Sequence, residues 1–138
     1  MPAVTVAPAH QARTDLFTIA ERGINAASAF NGTPIDISDY EGLLTVSVAF
    51  IAATGAQTGI AKLQTGDVSN GSDAADYAPT GGGAVAFTTF TQSDLTKMFH
   101  KVYDTNGMKR YVRLVITAAG STPAISAAAF VTGSKKAQ

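Results

Sequence analysis

Strict alternation of apolar and polar side chains constrains this chain more than any other feature. Between Lys109 and Ala118, residues Val112, Leu114, Ile116 and Ala118 fall on one side of an extended backbone, and Tyr111, Arg113, Val115 and Thr117 on the other. Successive side chains of a strand point to opposite faces, so this segment reads as a strand half buried against a core. Leu43 to Ala52 repeats the pattern, with Leu44, Val46, Val48 and Phe50 opposed to Thr45, Ser47 and Ala49. Further strands are expected near Ile60–Thr65, Ala84–Phe90, Met98–Tyr103 and Ala124–Thr132. Turn signals separate them: Asn31-Gly32, Asn70-Gly71, Gly81-Gly82-Gly83, Asn106-Gly107 and Gly120-Ser121-Thr122-Pro123. The spacing predicts a hairpin over 98–118 around Asp104-Thr105-Asn106-Gly107, within an all-β domain.

Such strands need a core, and here composition matters. Ala, Gly, Ser and Thr make 64 of 138 residues, whereas Val, Ile, Leu and Phe together number 31. The length suits one domain with a thin supply of large core side chains. With no Cys, a disulfide scaffold, thiolate zinc sites and thiol catalysis are excluded. Ten basic and ten acidic residues leave no net charge, which argues against nucleic acid as a partner. No apolar stretch approaches the ~18 residues of a membrane-spanning helix, so no membrane partner is expected. Met1-Pro2-Ala3-Val4 does not resemble a secretory signal.

Residues 1–23 form an expected N-terminal arm, 24–133 the sandwich, and 134–138 a short polar tail. Leu16, Ile19, Ala20 and Ile24 sit at helical spacing, with Thr14 as N-cap, Asp15 in the first turn and Gly23 as a stop. A short helix over 14–22 follows from that spacing, too short to stand alone. A strand through Phe17–Ile19 is the competing reading.

Few residues offer chemistry. His100 lies in the apolar strand Met98-Phe99-His100-Lys101-Val102-Tyr103, without a serine motif such as G-x-S-x-G elsewhere. A structural or interface role is the expectation. The loop from Asp67 to Asp76 gathers oxygens; Asp67, Asp73 and Asp76 are candidates for a structural Ca²⁺, against the plainer reading of an Asx-rich turn. Gly81-Gly82-Gly83 lacks the Lys-Ser/Thr of a phosphate loop. Lys109, Arg110 and Arg113 around Tyr111 form the basic cluster of the domain, read as strand charges or a protein–protein contact rather than an RNA surface. No catalytic residues, cofactor or enzyme activity are expected.

Three stretches carry a resemblance. Asn31-Gly32-Thr33, followed by Ile35-Asp36, Ser38 and Tyr40, is similar to an "NGT-x-ID-x-S-x-Y" pattern. Gln64 through Asn70-Gly71-Ser72 is similar to a "Q-x-S-D-x-x-x-G-S" strand and loop. Lys109-Arg110-Tyr111-Val112-Arg113, then Thr117, Gly120 and Thr122-Pro123, is close to "KRYVR-x-x-x-T-x-x-G-x-T-P". Over about residues 24 to 133 the chain thereby resembles small head cement or decoration proteins of tailed bacteriophages. Asp73-Ala74-Ala75-Asp76-Tyr77 and Ser134-Lys135-Lys136 depart from that pattern.

The resemblance implies a single antiparallel β-sandwich, jelly-roll-like, with an extended N-terminal arm and a short C-terminal tail. It implies a virion protein on the outer surface of the head, assembled in the host cytoplasm, that clamps neighbouring major capsid subunits and associates as a dimer or trimer. Contacts would come from the arm, through Pro2, Val4, Val6, Pro8, His10, Arg13, Asp15 and Phe17. Lys109, Arg113, Lys135 and Lys136 would add to them. Two other classes compete: a tail or fibre component or adhesin, and an unrelated β-sandwich binding module.

Overall fold

The computed structural model describes residues 11–16, 29–53, 57–94, 97–119 and 125–136. The alternating segments become strands in chain order: β1 (Gln11–Leu16), β2 (Ala29–Asn31), β3 (Ile35–Asp36), β4 (Tyr40–Ala53), β5 (Thr58–Gly66), β6 (Ala75–Asp76), β7 (Met98–Asp104), β8 (Tyr111–Ala119) and β9 (Ile125–Lys135). One sheet has the order β1-β9-β4-β7; the other runs β2-β8-β5-β6, with β3 also on β8. Every pairing between these strands is antiparallel. β2 and β3 pair with the same neighbour and act as one strand interrupted at residues 32–34. Counted so, the first strand pairs with the last, the second with the last but one, and so on inward. That nested order is a jelly roll, as expected.

The core lies between the sheets where the alternation places it. Leu44, Val46, Val48 and Phe50 of β4 and Val112, Leu114, Ile116 and Ala118 of β8 are each no more than 2% exposed. Small residues on β9, Ala127 and Ala129, line the same space, and Tyr40, Tyr103, Phe87 and Phe90 supply the volume that alanines do not. Complete burial stabilises by about 1.5–3 kcal/mol for each large apolar side chain, so this short roster carries most of the fold.

The structure departs from the local sequence signals at four places. The segment 98–118 is not a hairpin: β7 pairs with β4 in one sheet, and β8 with β5 in the other. A tight 3-10 turn at Thr105–Gly107, capped by the Asp104 carboxylate accepting from the Asn106 N–H (2.9 Å), carries the chain between sheets. Gly107 has no positive φ; a Cβ there would lie 2.5 Å from the Tyr77 hydroxyl, so close approach rather than turn type requires the glycine.

The strand expected over 84–90 is reduced to isolated bridges, Ala86 to Lys62 and Phe90 to Gly59. Its two phenylalanines drop into the core instead, and Phe90 sits between Phe50 and Phe99, with ring centroids 3.5 and 4.5 Å away. Just before it, the chain makes an excursion from the edge of β5. The Tyr77 N–H bonds to Leu63 O, the Thr80 N–H crosses to Val102 O of β7, and Phe87 N–H returns to Ala61 O. The excursion covers parts of two sheet edges that would otherwise be open to another chain.

Thr14 to Leu16 begin no helix. They belong to β1, which pairs residue by residue with β9 from Gln11 opposite Lys135 to Leu16 opposite Phe130. A ladder with a formed sheet outweighs the weak preference of a nine-residue helix. Residues 17–22 of that expected helix lie outside the described residues. The sandwich therefore starts before residue 24 and runs past residue 133. Lys135 is in β9, and the Lys136 N–H bonds to Asp39 O at 2.6 Å.

Two core positions yield predictions. A Cβ on Gly133 would lie 2.5 Å from Leu44 Cδ2 and 2.8 Å from Tyr40 Cδ1, both on buried side chains. Gly133→Ala is expected to destabilise by about 1–3 kcal/mol through overpacking, read from denaturant melts. The Tyr103 hydroxyl is buried with no hydrogen-bond partner among the described residues, and burial pushes its pKa up. Tyr103→Phe is expected to leave stability unchanged or raise it by about 1 kcal/mol, because the unsatisfied group disappears with little loss of volume.

Candidate interaction surface

A sandwich buries one face of each sheet and leaves the other outward, and here the two outward faces differ in chemistry. On the β5–β8 sheet the outward positions bear charge. Arg113 donates through Nε and Nη2 to Gln64 Oε1 (2.9 and 2.8 Å), Gln64 Nε2 donates to Asp76 Oδ1 (2.7 Å), and Lys62 Nζ donates to Asp76 Oδ2 (3.0 Å). Gln64 and then Lys62 hold the Asp76 carboxyl below its usual range. Arg110 reaches Asp36 Oδ2 through Nε (3.1 Å) and Nη2 (2.9 Å), and this contact lowers the Asp36 pKa to about 2.

The outward face of the other sheet carries three uncharged rows, with Asp104 opposite Leu43 in the row beyond them. The registers of β7, β4 and β9 align Met98 with Ala49 and Ala128, His100 with Ser47 and Phe130, and Val102 with Thr45 and Thr132. His100 is the titratable group among these nine. Met98 and Val102 are 46% and 42% exposed, and Leu43 beyond them 56%. Ser47 is only 2% exposed although it points outward, because His100 and Phe130 flank it. Its hydroxyl bonds to His100 Nδ1 at 2.7 Å.

That pair is not poised for nucleophilic catalysis. The serine is covered, and the carboxylates nearest His100 in sequence are engaged elsewhere. Asp104 accepts from the Asn106 N–H; Asp94 accepts from Lys97 Nζ and from Thr91. The bond fixes the ring in place in the middle of the face.

The nominated metal ligands do not converge. Asp73 accepts from the N–H groups of Asp67 (2.7 Å) and Val68 (3.1 Å), and the first of these does most to lower its pKa. Lys109 Nζ lies 3.3 Å from Asp67 and 3.8 Å from Asp73, while Asp76 is turned to Lys62. The loop is an Asx-rich turn neutralised by a lysine. Among the described residues no three His, Cys, Asp or Glu side chains form a metal-holding group.

Of the nominated contact residues, Pro2, Val4, Val6, Pro8, His10 and Phe17 lie outside the described residues. Arg13 and Asp15 occupy β1 positions opposite Gly133 and Val131, and Lys135 the β9 position opposite Gln11. Lys109 faces the Asp67–Asp73 turn, and Arg113 is bound to Gln64. Lys136 borders an open cleft of about 650 Å³, whose walls include Tyr40, Gly42, Thr105, Met108 and Arg110. The nominated residues are thus divided between the charged sheet, the cleft and the chain ends. Sequence reasoning does not single out the uncharged face. Its signal is present all the same, in the bare outward positions Thr45, Ser47 and Ala49 against the charged outward positions Lys62 and Arg113.

No family model matches this chain, and no curated protein matches it. Among solved structures it is similar to the SPBc2 prophage-derived protein YomS, with 12% identity, a TM-score of 0.47, and coverage of 96% of this chain and 100% of that one.

The Asp36–Arg110 pair sets a pH expectation. A carboxylate with a lowered folded pKa contributes stability above its unfolded value of roughly 3.9, lost as pH falls toward the folded value. Asp36→Asn is therefore expected to reduce the decline in melting temperature between pH 5 and pH 2. At pH 7 its effect should stay within about 1 kcal/mol, because the pair is solvent-exposed.

Proposed function

We propose that this protein is a non-enzymatic structural protein of a bacteriophage virion, a cement or decoration protein that binds the outer shell of the head and clamps neighbouring major capsid subunits. The observation that carries the reading is the division between a salt-bridged outward face and one with three successive uncharged rows. A face of Met, Val, Ala, Thr and Phe side chains gives up little hydration when covered, whereas the charged face keeps the particle surface hydrated. Placement on the head rests on the resemblance of the three sequence stretches. The mechanism is mechanical: each copy contributes a modest contact, and repetition over the shell multiplies it.

The pairing of β1 with β9 suits this work. Gln11 lies opposite Lys135, so β1 begins at the corner of the sandwich where β9 ends. A contact from that corner would draw on the nominated arm residues and on Lys135 and Lys136 together. The reading calls for no cofactor, nucleic acid or membrane.

Gradient sedimentation of an infected or induced lysate, probed for this chain, tests the proposal. The chain is expected to travel with DNA-filled heads that lack tails. Migration with free tails would make it a tail component, and retention at the top of the gradient would overturn the virion reading.

A further inference from the structure

We infer that His100 makes the shell contact sensitive to pH: protonation of its ring, held in the middle of the three uncharged rows, weakens the grip of the chain on the head. The inference rests on the proposed contact of that face with the shell and adds its regulation.

Placement comes first. His100 lies between Met98 and Val102 along β7, opposite Ser47 of β4, with Phe130 of β9 beyond. The residue is exposed, so solvent protons reach it, yet Ser47 Oγ holds its Nδ1 at 2.7 Å. In the neutral pair either group can be the donor, whereas an imidazolium donates from both ring nitrogens. Ser47 Oγ then accepts, and the bond survives the change of charge. The charge therefore stays in the middle of the rows instead of swinging to their margin.

No described group stands ready to neutralise it. Ser47, Thr45 and Ala49 on β4 and Phe130 on β9 carry no charge. Lys101 points to the opposite side of β7, with Nζ on Ala84 O at 3.0 Å. Residues 77–90 run past the open side of β7, tied by the Thr80 N–H to Val102 O, and contain no charged side chain. The charged groups toward the two ends of β7 are engaged. Asp104, ~14 Å along the strand, accepts from the Asn106 N–H, and Lys97 donates to Asp94 Oδ1 at 2.9 Å.

Covering the face therefore forces a choice on a protonated ring: it loses its proton or carries an unpaired charge out of water. Either way the free chain binds the proton more tightly than the attached one. Histidine changes charge between about pH 5 and 8, so attachment weakens as pH falls through that range. Linkage sets the slope, up to about tenfold in affinity per pH unit.

The test adds purified chain to DNA-filled heads assembled without it and reads affinity by co-sedimentation at about pH 7.5 and about pH 5.5. Wild type is expected to bind about tenfold or more weakly at the lower pH. His100→Gln, compared with itself at the two pH values, is expected to lose most of that ratio, which separates the ring from titration of the shell. His100→Lys, charged throughout, is expected to bind about tenfold or more weakly than wild type at the higher pH. Thermal melts at both pH values establish that each variant is folded, and should one fail to fold the other still decides. A wild-type ratio near one, or a ratio that folded His100→Gln shares, overturns the inference and leaves the shell contact standing. So does a folded His100→Lys that binds like wild type at the higher pH. Absence of wild-type binding at the higher pH overturns the shell contact and the inference with it.

Discussion

The apposition of β4 and β8 across the core holds the remaining strands in place. Leu44, Val46, Val48 and Phe50 meet a space shared with Val112, Leu114, Ile116 and Ala118, and removal of these side chains from water drives the two sheets together. Each of the two strands is also flanked on both sides in its own sheet: β4 by β9 and β7, β8 by β5 and the β2–β3 pair. Hydrophobic burial is non-directional, so the ladders supply the direction. A one-residue slip in either strand would turn its apolar row outward. Fixing β4 and β8 therefore fixes the orientation of every neighbouring strand.

Since the core consumes the inward side chains, the outward ones are free to diverge, and they have. On one sheet Arg113, Gln64, Asp76 and Lys62 form a connected chain of polar contacts. Such exposed pairs add little stability but keep the face wet. On the other sheet three successive outward rows contain His100 as their titratable group, and its ring is occupied with Ser47. A soluble monomer has no thermodynamic need for that asymmetry. Uncharged outward rows are cheaper to cover than charged ones, and the proposed shell contact rests on that difference.

Alternation alone makes the long strands legible: β4, β5, β7, β8 and β9 lie where the period-two segments lie, and the buried rows of β4 and β8 are the ones the pattern selects. What local signals do not resolve is partnership. Asp104-Thr105-Asn106-Gly107 signals a turn but does not say whether the following strand stays in the sheet, and here Tyr77 beside Gly107 and the core demands of Tyr103 and Val112 send it across. The Phe87 and Phe90 side chains look like strand residues locally and are drawn inward by a core short of large groups. Thr14 to Leu16 carry a weak helical period that loses to pairing with a strand more than a hundred residues away. The uncharged face stays hidden for the same reason, because its three rows come from β7, β4 and β9 and exist only once register is known.

The nested pairing has a consequence for how the molecule is made. β1 is the first of the described strands to be made, yet its partner β9 is the last of them, and β2 likewise waits for β8. Neither sheet is complete until β8 and β9 have been made, so the sandwich closes late, from contacts of large sequence separation that form slowly. For that interval the strands destined for the interior stay exposed, and the scarcity of large apolar side chains that thins the core also limits what they can stick to. A richer core would make a more stable sandwich and a more hazardous nascent chain.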